Sequence, residues 1–125
     1  MLKYTLPLFV VTLLACGQGE EPSQETSADV RSAIAVSLDV DEWESTMKEH
    51  PGLVLDVRTP GEVAGGVVPG AMHIDYHSAD FESQILSLDT EQAVFVYCAS
   101  GGRSKKAMDI MFRNGFTSIY ELDGG

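Results

Sequence analysis

The stretch Cys98-Ala99-Ser100-Gly101-Gly102-Arg103-Ser104 holds the residue types best suited to chemistry. Gly101 and Gly102 can take positive φ, which lets successive backbone N–H groups turn toward one point. A helix beginning there adds the positive end of its dipole. Both effects favour the charged form of the Cys98 thiol and lower its pKa. Arg103 supplies a permanent fork of donors for an anionic substrate. An isolated cysteine is ordinarily a small, inert core residue. Here the electropositive helix-start setting argues for a nucleophile instead. Lys105 and Lys106 fall in the same first turn, where the dipole disfavours cations, and with Arg103 they read as a local positive funnel.

Such a loop needs a buried strand before it and a helix after it. Residues 93–97 (AVFVY) form the strongest strand in the chain, and a helix from about 103 to 113 follows, closed by Asn114-Gly115. Upstream, 35–38 reads as a short strand and Asp39 caps a helix to about Lys48, with Glu42 as a capping-box partner. Val40, Trp43 and Met47 share one face of that helix, so Trp43 is a core residue. Pro51-Gly52 ends the helix. Leu53 to Val57 is an apolar run interrupted only by Asp56, the mark of a buried strand. Thr59 and Pro60 begin one short helical turn, and 72–74 gives another short strand. Ser78 caps a helix over 79–86 that turns Phe81, Ile85 and Leu86 inward, and 118–122 is the last strand. Strands alternating with short helices predict an α/β fold: a mostly parallel central sheet with helices on both faces. In such sheets chemistry sits where strands end and helices begin.

The chain has 125 residues, 19 acidic against 8 basic, for a net charge of −11, and 44% hydrophobic residues. That balance suits a small acidic globular domain and excludes a nucleic-acid binder, which needs a basic face. Cys16 and Cys98 are the only two cysteines, too few for a disulfide framework. His50, His73 and His77 stand at no metal-ligand spacing, so solvated or structural roles are expected.

Residues 1–15 have the layout of an export signal: Lys3, an apolar run from Leu6 to Leu14, then Ala15 before Cys16. The run is shorter than the roughly 20 residues of a membrane-spanning helix. Leu13-Leu14-Ala15-Cys16 resembles the bacterial lipobox, which implies cleavage before Cys16 and lipid on that cysteine. More than one acyl chain would give a stable anchor. The chain is therefore expected on the periplasmic side of a bacterial membrane, the outer one favoured because no Asp follows Cys16. Residues 17–33 carry four carboxylates and almost no large apolar group. With Cys16, residues 16–34 are expected to form a flexible acidic tether spanning roughly 20–25 Å. The domain proper is expected over 35–125.

From residue 35 onward the chain resembles the single-domain rhodaneses, or thiosulfate sulfurtransferase-like domains. The resemblance rests on LVLDVRTPGEVAGGVVPGAMHI, which matches the family's D-V-R-x-x-x-E followed by P-G-A, and on VYCASGGRS, which matches its active loop. It implies that Cys98 is the sulfur-carrying nucleophile and that Ala99, Ser100, Gly101, Gly102, Arg103 and Ser104 form the cradle of a persulfide. Asp56, Arg58 and Glu62 match the supporting polar positions; read as residues alone, they fit strand-end ion pairs equally well. The resemblance further implies a small anionic sulfur donor, a thiol or cyanide-like acceptor, and no metal or organic cofactor. Related phosphatases and arsenate reductases place five residues between Cys and Arg. The four here, Ala99 to Gly102, favour sulfur over phosphate or arsenate. A rhodanese-like binding or persulfide-carrying module without turnover is the competing class. The chain departs from the family in having Gly66-Val67 where Gly-His is usual. It also ends at Gly124-Gly125, where the family continues into a Trp-containing helix, so uncovered apolar surface is expected there.

Overall fold

Period-two alternation along β4 (Val94–Tyr97) organises the molecule: Val94, Val96 and then Cys98 face one side of the sheet, while Phe95 and Tyr97 face the other. A computed structural model describes residues 32–125. The expected signal, the lipid-bearing Cys16 and the tether up to residue 31 lie outside the described residues.

The elements run β1 (Ile34–Leu38), α1 (Val40–Glu49), β2 (Leu53–Asp56), α2 (Pro60–Val63), β3 (Met72–His73), α3 (Phe81–Leu86), β4, α4 (Gly102–Arg113) and β5 (Ser118–Leu122). The five strands form one sheet in the order β1-β5-β4-β2-β3, with every pairing parallel. β4 lies at its centre and is buried along its whole length. This is the α/β architecture expected from the alternation of elements.

Each face of the sheet has its own core. Trp43 of α1 packs on Phe95, Tyr97, Tyr120 and Leu122, and its indole N–H donates to the Tyr120 carbonyl at 3.2 Å. On the opposite face Val94, Val96, Cys98 and Ile119 meet Phe81 and Ile85 of α3 and Ala107 and Met111 of α4. Burial of each large side chain contributes about 1.5–3 kcal/mol. The same parity turns Glu121, alternate to Tyr120 and Leu122, toward the face that carries Cys98.

The structure differs from the sequence reading in detail. The Asp39 carboxylate accepts from the Glu42 N–H at 2.9 Å, but Glu42 returns no bond, so only half of the capping box forms. Val40 lies at the first turn of α1, outside the sheet's cover, and is exposed while Trp43 is buried. α3 starts at Phe81 rather than 79, because the Ser78 hydroxyl binds the Asp80 carboxylate instead of capping the helix. Phe81 and Ile85, four apart, then take the inward face and leave Leu86 exposed. The β2 ladder stops at Asp56, although the Val57 N–H still donates to the Tyr97 carbonyl at 3.1 Å.

Candidate active site

Cys98 follows directly on the central strand and is 3% exposed. Gly101 adopts φ +90° as the residue before α4, a left-handed conformation that only glycine takes without strain. That turn brings the Gly101 N–H onto Cys98 Sγ at 3.0 Å. One turn into α4, the buried Ser104 hydroxyl sits 3.4 Å from the same sulfur. Burial raises the Cys98 pKa. The Ser104 hydroxyl and the backbone N–H groups of Ser104, Ser100 and Gly101 outweigh it, so the thiol ends below its ordinary value. Ala99, Ser100 and Gly102 are exposed around the sulfur, forming the rim of the loop.

Arg103 turns toward α2. Its Nη1 and Nη2 donate to Glu62 Oε2 and Oε1 at 2.7 and 2.8 Å, a two-pronged ion pair. Glu62 is itself oriented by a complete capping box: the Thr59 N–H and hydroxyl both donate to Glu62 Oε2 at 2.9 Å, and the Glu62 N–H donates to Thr59 Oγ1 at 3.4 Å. The Arg103 guanidinium, then the Thr59 N–H and hydroxyl, hold the Glu62 carboxyl well below the usual carboxylate range. Glu62 raises Arg103 in return. Lys105 pairs with Asp123 at 2.6 Å. Two of the three clustered cations are thus already neutralised, and the local positive field is weaker than the residue count implied.

Asp56 and Arg58 form a second, separate unit at the end of β2. The fully buried Asp56 carboxylate accepts from the Arg58 N–H at 2.9 Å, from Nη2 at 2.7 Å and from the Tyr97 hydroxyl at 2.7 Å. Burial opposes the Asp56 charge, but Arg58 and the Tyr97 hydroxyl outweigh it and keep its pKa below the ordinary value. Arg58 reaches onward to the Gly66 carbonyl at 2.6 Å, and the Val68 N–H donates to the Tyr97 hydroxyl at 3.1 Å. The unit therefore ties the 59–68 segment to the strand that ends at Cys98. His73 also serves structure, with Nε2 at 2.6 Å from the Arg58 carbonyl oxygen.

Cys98, Arg103, Ser104 and Glu62 are brought together, whereas Asp56 and Arg58 contribute one step removed, through Tyr97 and α2. Sequence reasoning gave Thr59 only as a helix cap, and it missed Tyr97 and the polar chain that runs behind Cys98 from Ser104 through Glu121 to Ser37. In that chain the Ser104 hydroxyl lies 2.6 Å from Glu121 Oε1, and the Ser37 hydroxyl donates to Glu121 Oε2 at 2.6 Å. The signal for Glu121 was present: it is the lone acid of β5, set between Tyr120 and Leu122 with the parity of the Cys98 face.

Comparison with known proteins agrees with this geometry. A family model described as the rhodanese-like domain matches residues 39–125. The thiosulfate sulfurtransferase GlpE of Pseudomonas aeruginosa is 38% identical over 80 residues, spanning 63% of this chain and 70% of that protein. Among solved structures, a rhodanese-like domain protein from Staphylococcus aureus superposes with a TM-score of 0.62 at 29% identity, covering 71% of this chain and 85% of that one. A rhodanese-related protein from Thermoplasma volcanium gives a TM-score of 0.62 at 26% identity over 71% and 84% of the respective chains. A parallel sheet that delivers a cysteine into a glycine-turned loop at a helix start, together with these matches, establishes that the chain belongs to the rhodanese-like domain family.

Proposed function

We propose that this protein is a sulfurtransferase that carries sulfane sulfur as a persulfide on Cys98. The observation that carries the reading is the Gly101 N–H donating to Cys98 Sγ at 3.0 Å at the start of α4. A thiolate so placed attacks the outer sulfur of a donor such as thiosulfate. The Cys98–sulfur bond forms, the donor's S–S bond breaks, and sulfite leaves with the electron pair. A thiol or cyanide-like acceptor then attacks the terminal sulfur and releases the Cys98 thiolate. No cofactor enters either displacement. Arg103, held by Glu62, presents its guanidinium to the anionic part of the donor. The four-residue spacing from Cys98 to Arg103 supports sulfur over a tetrahedral phosphate or arsenate substrate.

The Leu13-Leu14-Ala15-Cys16 sequence supports an exported protein, lipidated on Cys16 and acting at the periplasmic side of a bacterial membrane, the outer one by preference.

The decisive experiment incubates reduced protein with thiosulfate and follows the intact mass. The expected result is gain of one sulfur atom on Cys98, removed by cyanide or a thiol, with neither adduct nor turnover in Cys98→Ser. Prior reduction matters, because an exported low-pKa thiol is prone to oxidise. Reduced, folded protein that takes no sulfur from any sulfane donor would overturn the enzyme reading in favour of a binding module.

A further inference from the structure

Glu121 is the one group in the core whose chemistry the preceding reading leaves idle. It has no exposed surface, and among the described residues no cation pairs with it. Its partners are two neutral hydroxyls: Ser37 on Oε2 and Ser104 on Oε1, each at 2.6 Å. A glutamine could satisfy both hydroxyls, accepting from one and donating to the other, without the desolvation cost of a buried charge. What glutamate adds is the capacity to take up a proton.

The neighbours define where that proton comes from. Ser104 has a single hydroxyl proton and three acceptors in reach: Glu121 Oε1 at 2.6 Å, the Gly101 carbonyl at 3.1 Å and Cys98 Sγ at 3.4 Å. The short bond to a carboxylate is the strongest of the three. With its proton committed there, Ser104 Oγ presents a lone pair toward the sulfur. Cys98, Ser104 and Glu121 are all buried, so a proton leaving this side of Sγ passes through Ser104 to Glu121, beyond which stands the exposed Ser37 hydroxyl. The other groups near Glu121 are accounted for. Ser37 of β1 holds its far oxygen, Lys105 of α4 is paired with Asp123 after β5, and Arg103 is engaged by Glu62.

We propose that Ser104 and Glu121 form a buried relay that receives the Cys98 thiol proton when the nucleophile is made. The proton moves from Sγ to Ser104 Oγ as the Ser104 hydroxyl proton passes to Glu121 Oε1. Thiol plus carboxylate becomes thiolate plus carboxylic acid, with no change in net buried charge. Ser104 touches the reacting sulfur and is the catalytic member, whereas Glu121 acts through it as a positioning residue. The relay deepens the sulfurtransferase reading and rests on Cys98 as its nucleophile.

The test is the pH profile of Cys98 alkylation by iodoacetamide in the full chain, with the Cys98 peptide quantified by mass spectrometry so that Cys16 does not interfere. Alkylation needs no sulfur donor, so its outcome is independent of the thiosulfate experiment. Native protein should show a reactive limb well on the acid side of an ordinary thiol, because the Ser104 hydroxyl and the loop N–H groups hold Cys98 below its ordinary value. Glu121→Gln keeps the hydroxyl acceptor but cannot take the proton. It should lose the acid limb, with alkylation near pH 6 falling by about tenfold or more, the change that one unit in a thiol's pKa would bring. Ser104→Ala should lose the same limb, and Ser37→Ala, which touches only the far oxygen, should keep it. An unchanged profile in folded Glu121→Gln would overturn the relay. Faster alkylation at neutral pH would also overturn it, because Glu121 would then act only as a repelling charge. Should Glu121→Gln fail to fold by circular dichroism, an unchanged profile in Ser104→Ala overturns the relay.

Discussion

Arg103 and Glu62 stand 41 residues apart in sequence and meet in a two-pronged ion pair, 2.7 and 2.8 Å long. This contact joins the cysteine loop to the turn that follows β2, so the two motifs of the chain form one site. Glu62 takes part of the Arg103 charge while fixing the plane of its guanidinium. In the proposed reaction Arg103 would then contribute orientation more than long-range attraction.

Arg103→Ala should lower kcat/KM for thiosulfate by roughly tenfold to a hundredfold, the worth of a hydrogen bond to a charged group. Lys106→Ala should change it little, and that little should vanish with added salt. Glu62→Gln, which frees the guanidinium, should fall between them. Steady-state kinetics at two ionic strengths checks all three. Equal, salt-abolished effects for Arg103 and Lys106 would leave Arg103 as a steering charge only.

Asp56→Asn removes the charge opposite Arg58 and weakens the tie through Tyr97, so it should destabilise the fold by on the order of 3 kcal/mol. Urea unfolding measures this. Asp56 and Glu62 both have folded pKa values below their ordinary 3.8 and 4.5. The folded chain thus binds fewer protons than the unfolded one in that range. Their stabilisation is complete above the ordinary values and is lost as pH falls through the folded ones. Native protein should lose stability progressively below about pH 4, and Asp56→Asn should show a shallower loss.

Gly101→Ala places a side chain at φ +90°, with its Cβ 3.2 Å from the Gly124 nitrogen and 3.5 Å from Glu121 Oε1. The strain should cost about 1–2 kcal/mol, and the displaced N–H should lower thiosulfate turnover further than that loss explains. Gly115→Ala is the control: φ is +87° with nothing within 4 Å, so it carries the backbone strain away from the site. It should lose comparable stability and keep its turnover.

Cys16→Ser should release the protein from membranes or leave its signal uncleaved, whereas native protein should partition with them. Cell fractionation with mass analysis of the N-terminus reads the outcome. An intact Met1 on the membrane-bound form would contradict lipidation at Cys16.

Residue order alone determined the alternation of strands and helices, the parallel sheet and the Cys98 loop. These follow from local signals: the apolar run before Cys98, the glycines that permit a left-handed turn, and the Thr59-Pro60 helix start. Cys98 and Arg103 were legible because loop and dipole chemistry act within a few residues. Only the tertiary structure decided the partners. The parallel register sets Asp56 beside Tyr97, and the crossover order puts β5 between β1 and β4. From that placement Ser37, Ser104 and Glu121 converge behind the sulfur, although 84 residues separate the first from the last. A buried carboxylate in a strand has no local signature of its neighbours, since its hydrogen-bonding partners come from other elements and are chosen by packing.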